Sequence, residues 1–251
     1  MKLHFATLTD FLLMRTRKSK MVNYGILGLL AIYLTLICYP SFLFAYSFKY
    51  ENFSVYSTQP LDSNIQTILA NAERNLASSE ILNKTLTQNI YFCNGYPLYI
   101  FFAPLARNAF ACNYPIIHNI FIANCDIDKN LAFKSDGEYT RRLHELITHE
   151  TAHTLAERRL GFWKYRTLAT WKKEGYSEYV GYNNAGALKD AKAFLATRKD
   201  DTSPEATYRK YYYAVTFLKE VEGMTFDDII ATNQTFEQVL DKIEGMTKKE
   251  K

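Results

Sequence analysis

Two histidines four residues apart, with a glutamate beside the first, constrain this chain more than any other feature. His149-Glu150-Thr151-Ala152-His153 is an H-E-x-x-H sequence, and on an α-helix positions i and i+4 lie one above the other on the same face. Two imidazoles so placed can grip one metal ion. Glu150 projects beside the same ion and can take a proton from a metal-bound water, whose pKa zinc lowers towards about 7. The surroundings read as helix over 138–160: Leu143, Leu146, Ile147, Thr154 and Leu155 supply an apolar face, no proline interrupts the run, and Gly161 offers a stop. A tetrahedral catalytic site needs a third protein ligand. Trp171-Lys-Lys-Glu174-Gly175-Tyr-Ser-Glu178-Tyr179 offers Glu174, 21 residues after His153, on a helix expected over about 167–182.

An H-E-x-x-H followed about twenty residues later by W-x-x-E-G-x-x-x-Y resembles the gluzincin metallopeptidases, the group including thermolysin and the membrane-anchored alanyl-type aminopeptidases, and most closely the peptidase MA-like group. The matched stretch runs from about His144 to Gly223. The resemblance implies His149, His153 and Glu174 as ligands of one Zn2+ and Glu150 as general base. It implies Glu178, one turn beyond Glu174, as the carboxylate that fixes a ligand histidine. The substrate implied is a peptide or protein. No G-x-M-x-N exopeptidase signature precedes the zinc helix, which favours an endopeptidase over an aminopeptidase.

In gluzincins a sheet edge above the metal pairs with extended substrate. Asn119–Ala123 is the first candidate for that strand and Ala109–Cys112 the second. A tetrahedral oxyanion also needs a hydrogen-bond donor besides the metal. Tyr208, Tyr211, Tyr212 and Tyr213 cluster on a helix entered at Pro204, where the resembling group also has a Tyr-rich segment; Tyr212 is the candidate, core packing the alternative. Gly175, lacking a side chain, would leave room beside the metal. His118 and His144 read as structural, since His144 lies about 140° around the helix from His149.

The rest of the chain suits one α+β, zincin-like domain over 50–246, with a small mixed sheet, the active-site helix and a helical C-terminal half. An amphipathic helix is expected over 62–82. Short aromatic and β-branched runs at 89–93, 99–102, 109–112 and 119–123 read as strands. Helices follow at about 186–198 and 204–222, then two short ones within 225–243, and 247–251 reads as a flexible tail. Apolar residues at 48% and charged residues at 22%, with only 10 Gly and 6 Pro, exclude disordered and low-complexity classes.

The N-terminal region has a different character. From Met21 to Phe48 no Asp, Glu, Lys or Arg occurs across 28 positions, and a membrane-spanning helix needs roughly 20 apolar residues. Arg15, Arg17, Lys18 and Lys20 precede the run. The positive-inside bias then predicts a cytoplasmic basic tail over 1–20, a transmembrane signal-anchor helix over 21–48, and a catalytic domain outside the cytoplasm, periplasmic or extracellular. A cleavable signal peptide ending near Ala45 and a buried core helix are the other readings. Arg141, Arg142, Arg158 and Arg159 bracket the H-E-x-x-H helix and oppose an intramembrane protease.

The whole net charge of +4 resides in residues 1–20, so the remainder is balanced and carries no electrostatic footprint for nucleic acid. Cys93, Cys112 and Cys125, at spacings of 19 and 13, do not match a zinc knuckle or ribbon, though an oxidising compartment would allow one disulfide among them. Taken together, the residues describe a membrane-anchored zinc peptidase. The alternative is a catalytically silent zincin-fold binding or assembly protein at the outer face of the membrane.

Overall fold

The computed structural model describes residues 8–134, 139–183 and 188–246, with side chains from Val22 onward. The tail expected over 247–251 lies outside the described residues. The chain divides after Leu43 into two compact units.

The charge-free run is not one element. Helix α1 spans Leu8–Cys38, so that its first half carries Asp10, Arg15, Arg17, Lys18 and Lys20. Pro40, which has no backbone N–H to continue a helix, opens a 3-10 turn over Pro40–Leu43. The last three residues of the run, 46–48, lie in strand β1 (Tyr46–Tyr50), which continues past it through Lys49. Among the described residues no helix is long and apolar enough to cross a membrane. That finding overturns the membrane-spanning helix over 21–48, and with it the cytoplasmic tail and extracytoplasmic placement derived from it.

The second unit begins with a five-stranded sheet of order β1-β2-β3-β5-β4, adding β2 (Phe53–Ser57), β3 (Gln88–Phe92), β4 (Ala111–Tyr114) and β5 (Asn119–Ile122). The inner strands β2, β3 and β5 run parallel, and β1 and β4 close the two edges antiparallel. Strand alternation sorts the faces. Val55, Ile90 and Ile120 share a register row and are fully buried on the side of the main core. The neighbouring row, Tyr56, Tyr91 and Phe121, stacks at 4.9 and 5.1 Å between ring centroids on the opposite face. Phe102 of helix α3 (Tyr96–Phe102) covers that row, 4.4 Å from Phe121. The aromatic run at 99–102 is therefore helix and not strand: Gly95 precedes it and Pro97 occupies its first turn, where a missing N–H costs nothing.

A second, antiparallel sheet of β6 (Asn124–Asp126), β7 (Leu131–Phe133) and β8 (Thr140–Arg142) leads directly into helix α4 (Leu143–Leu160). Asn130, in the left-handed region at φ 55°, caps that helix: its carbonyl accepts from the Leu143 amide and its side chain from the His144 amide. Helix α2 (Ile65–Leu76) lies between β2 and β3 in the chain. After α4 come α5 (Phe162–Thr167), α6 (Thr170–Tyr182), α7 (Leu188–Arg198), α8 (Pro204–Glu220), α9 (Phe226–Ala231) and α10 (Phe236–Gly245). Helices α2, α4, α6 and α8 pack in succession, and α4 also lies against β4. This mixed α+β architecture, with an active-site helix and a helical C-terminal half, matches a zincin-like domain. All four cysteines are free thiols.

Candidate metal centre

The H-E-x-x-H segment occupies the middle of α4, and Glu174 is in the second turn of α6, which packs across it. The two helices can approach closely because α6 carries glycine where other helices press on it. A Cβ at Gly181 would stand 3.2 Å from the Glu145 carbonyl and 3.5 Å from His149 Cβ, while one at Gly175 would come within 2.5 Å of the Tyr211 carbonyl on α8. Gly175 thus admits the backbone of α8, and not a metal as the sequence suggests.

Across this interface three ligand atoms converge. The Nε2 atoms of His149 and His153 are 3.0 Å apart, and Oε2 of Glu174 stands 3.4 Å from the first and 3.3 Å from the second. Ligands at about 2.0–2.2 Å from one tetrahedral ion would be separated by about 3.3–3.6 Å; both separations to Glu174 fall in that range and the Nε2 pair is slightly closer, so the three atoms approximate one face of such a tetrahedron. Two imidazole nitrogens and a carboxylate oxygen are a donor set that zinc accepts. His149 is buried, and the side chains of His153 and Glu174 are 12% and 18% exposed, which leaves an open side for a fourth ligand.

The outer nitrogens of the two imidazoles are held in different ways. Nδ1 of His149 faces Oε1 of Glu178 at 3.2 Å, on a line bent away from an ideal hydrogen bond. Glu178 in turn receives both Nη groups of Arg141, at 3.0 and 2.7 Å. Nδ1 of His153 meets the Tyr165 hydroxyl at 2.6 Å and Ser177 Oγ at 3.0 Å. Burial alone would raise the Glu178 carboxyl, but the charges of Arg141 and His149 outweigh it and hold it at about 2. Glu174 is likewise held well below the carboxylate range, burial being overcome by the His153 and His149 imidazoles. Burial pushes His149 down, and Glu178 with Glu174 more than reverses this, leaving it raised in the metal-free protein. The three ligands and Glu178 therefore form one charge-coupled group.

Glu150 is buried beside His149, and its main-chain carbonyl accepts from the Asn113 side chain, which also donates to Thr154 Oγ1 at 3.1 Å. Asn113 belongs to β4, the sheet edge against α4. The strand at 119–123, first choice from the sequence, is the interior β5, paired on both sides, and the edge is β4, which overlaps the second choice, 109–112, only at Ala111 and Cys112. Tyr212 sits in the core, 1% exposed, between Tyr182 and Tyr213, with Glu220 and Arg209 as its nearest charges. Tyr208, one turn earlier, is the α8 tyrosine whose hydroxyl pKa is raised first by its surroundings and then by Glu174, Glu150 and Glu178, as that of Tyr165 is by Glu174 and Glu150. Among the described residues the other two histidines lie apart from the cluster: His144 binds Asn130, and His118 accepts from Arg158 at 3.0 Å. Sequence reading missed Tyr165, Ser177 and Arg141 as partners of the site, although Ser177 stands one residue from Glu178.

The His149–His153–Glu174 cluster matches the gluzincin zinc-binding architecture, an H-E-x-x-H with a downstream acidic ligand. That donor set supports a zinc-dependent hydrolase of the metallopeptidase class. Compared against protein-family models the chain matches none, and no curated protein matches it.

Proposed function

We propose that this chain hydrolyses peptide bonds in a peptide or protein substrate as a zinc-dependent endopeptidase, with one Zn2+ held by His149, His153 and Glu174. The observation that carries the reading is the convergence of two Nε2 atoms and one carboxylate oxygen at tetrahedral spacing on the open side of α4. Zinc, when bound, supplies a Lewis acid that lowers the pKa of water towards neutrality and polarises a carbonyl. Glu150 takes the proton of the attacking water and passes it to the leaving amine, a shuttle suited to a carboxylate held next to a ligand. Glu178 keeps the His149 ring turned so that Nε2 faces the ion.

Strand β4 forms the edge of the sheet along the side of α4 and suits an extended substrate, with Asn113 tying that strand to the carbonyl of Glu150. Of the tyrosines on α8, Tyr208 is better placed than Tyr212 to donate to the oxyanion, because it is partly exposed and within reach of the Glu150 and Glu174 charges. The test uses the full chain. Wild type should carry one zinc by metal analysis and cleave a denatured protein mixture, and Glu150→Gln should keep the metal and lose cleavage. Equal cleavage by Glu150→Gln and wild type refutes the mechanism, and a wild type that takes up no zinc refutes the reading altogether.

A further inference from the structure

The partner of Glu178 comes from outside both motif segments. Arg141 is the middle residue of β8, paired with Ala132 of β7, and its strand ends one residue before α4 begins. Its guanidinium is almost out of solvent, the side chain being 14% exposed. Both Nη groups are committed to the two oxygens of Glu178, in the fork-on-carboxylate geometry that fixes orientation as well as charge. Tyr182 lies under the guanidinium at 5.4 Å, and Nε has no partner among the described residues. A charged group kept buried with one donor unpaired is costly as mere packing. The other charged groups around it include His149 across Glu178, Glu145 on the first turn of α4, and Arg209 on α8, which shares the Tyr182 ring.

Glu178 itself is 3% exposed, faces His149 Nδ1 with one oxygen, and shares the site with the carboxylates of Glu174 and Glu150. Without the fork behind it, nothing would hold the Glu178 carboxylate against Nδ1, and a carboxylate free to turn away no longer sets the His149 ring. We infer that Arg141 is a positioning residue of the metal centre: by clamping both oxygens of Glu178 it holds the acceptor that orients His149 towards the ion. The short β6–β8 sheet, which also caps α4 through Asn130, thereby fixes the first ligand from behind as well as the start of its helix.

This inference rests on the metal-centre reading above, and its test separates the two. Zinc dissociation constants are measured by chelator competition on the full chain for wild type, Arg141→Gln, Arg141→Lys, Glu178→Gln and the Arg141→Gln/Glu178→Gln double variant, with metal-free thermal melts run alongside. Arg141→Gln and Glu178→Gln should each weaken zinc binding by about 10–100-fold, the range for loss of an outer partner of a ligand. The double variant should bind no more weakly than Glu178→Gln alone, because Arg141 acts only through Glu178. Arg141→Lys, which restores the charge without the fork, should recover part of the loss. Wild-type affinity in Arg141→Gln overturns the inference, as does a double variant whose two losses multiply. If the Gln variant gives no cooperative melt, Arg141→Lys decides: affinity equal to wild type overturns the assignment, and a several-fold loss with an unchanged metal-free melt supports it. A wild type that binds no zinc counts instead against the metal-centre reading.

Discussion

The two histidines of the candidate metal centre share a helix and, through their Nε2 atoms, a common carboxylate, yet their outer faces are built from opposite materials. Behind His149 stands a buried ionic chain, Glu178 and Arg141, while behind His153 stand two neutral hydroxyls, Tyr165 and Ser177. A hydroxyl can donate or accept and so tolerates either tautomer of its imidazole. A carboxylate only accepts and demands a proton on Nδ1, which leaves Nε2 free for a metal. The ionic flank therefore specifies, and the hydroxyl flank accommodates.

The largest effect should come from removing what both flanks serve. Glu174→Ala, His149→Ala and His153→Ala should each lose zinc during dialysis, as read by metal analysis, because a three-ligand site does not survive with two. Next, Glu178→Ala should retain zinc at high metal concentration with affinity or turnover lowered about 10–100-fold; should Glu178→Ala lose zinc and Glu174→Ala keep it, the ligand assignment moves to Glu178.

A third measurement uses acid. Glu178 is held at about 2 in the folded chain and titrates near 4.3 when unfolded, so its contribution to stability is full above about pH 4.3 and is lost as pH falls through 2. Between pH 5 and pH 3 the metal-free wild type should lose about 1–2 kcal/mol more than Glu178→Gln in urea unfolding, whereas Ser177→Ala should track wild type. Smallest of all, Tyr165→Phe and Ser177→Ala should each change zinc affinity less than tenfold, since either hydroxyl can hold His153 alone. A loss from Tyr165→Phe as large as that from Glu178→Ala would erase the distinction between the flanks.

The centre was legible because its chemistry is written at helical spacing: His149 and His153 one turn apart, and Glu174 a short distance further along the chain on α6. Arg141 was not, because a three-residue strand has no periodicity of its own and an arginine ahead of a helix reads as solvated charge. Aromatic content misled twice. Residues 99–102 have the composition of a strand, and Pro97 after Gly95 decided for helix; residues 46–48 end an uncharged run and so read as membrane, yet they pair with β2 in an edge strand. Tyr208 and Tyr212 are equivalent by helical spacing, and only packing distinguishes the residue near the carboxylates from the one a turn deeper.

The glycines of α6 carry a consequence for how this centre responds to change. At Gly181 the helix meets α4, and at Gly175 it meets α8, in both places with main chain where a side chain would ordinarily intervene. The reach of Glu174 to the two imidazoles is therefore gauged by backbone thickness, a dimension that substitutions among the surrounding leucines, isoleucines and tyrosines do not alter. Such a site can drift in its core composition while keeping its bite, and it has one fixed point, Gly175, at which a single added methyl group would spoil the fit, with Gly181 a second at which it would press tightly on main chain.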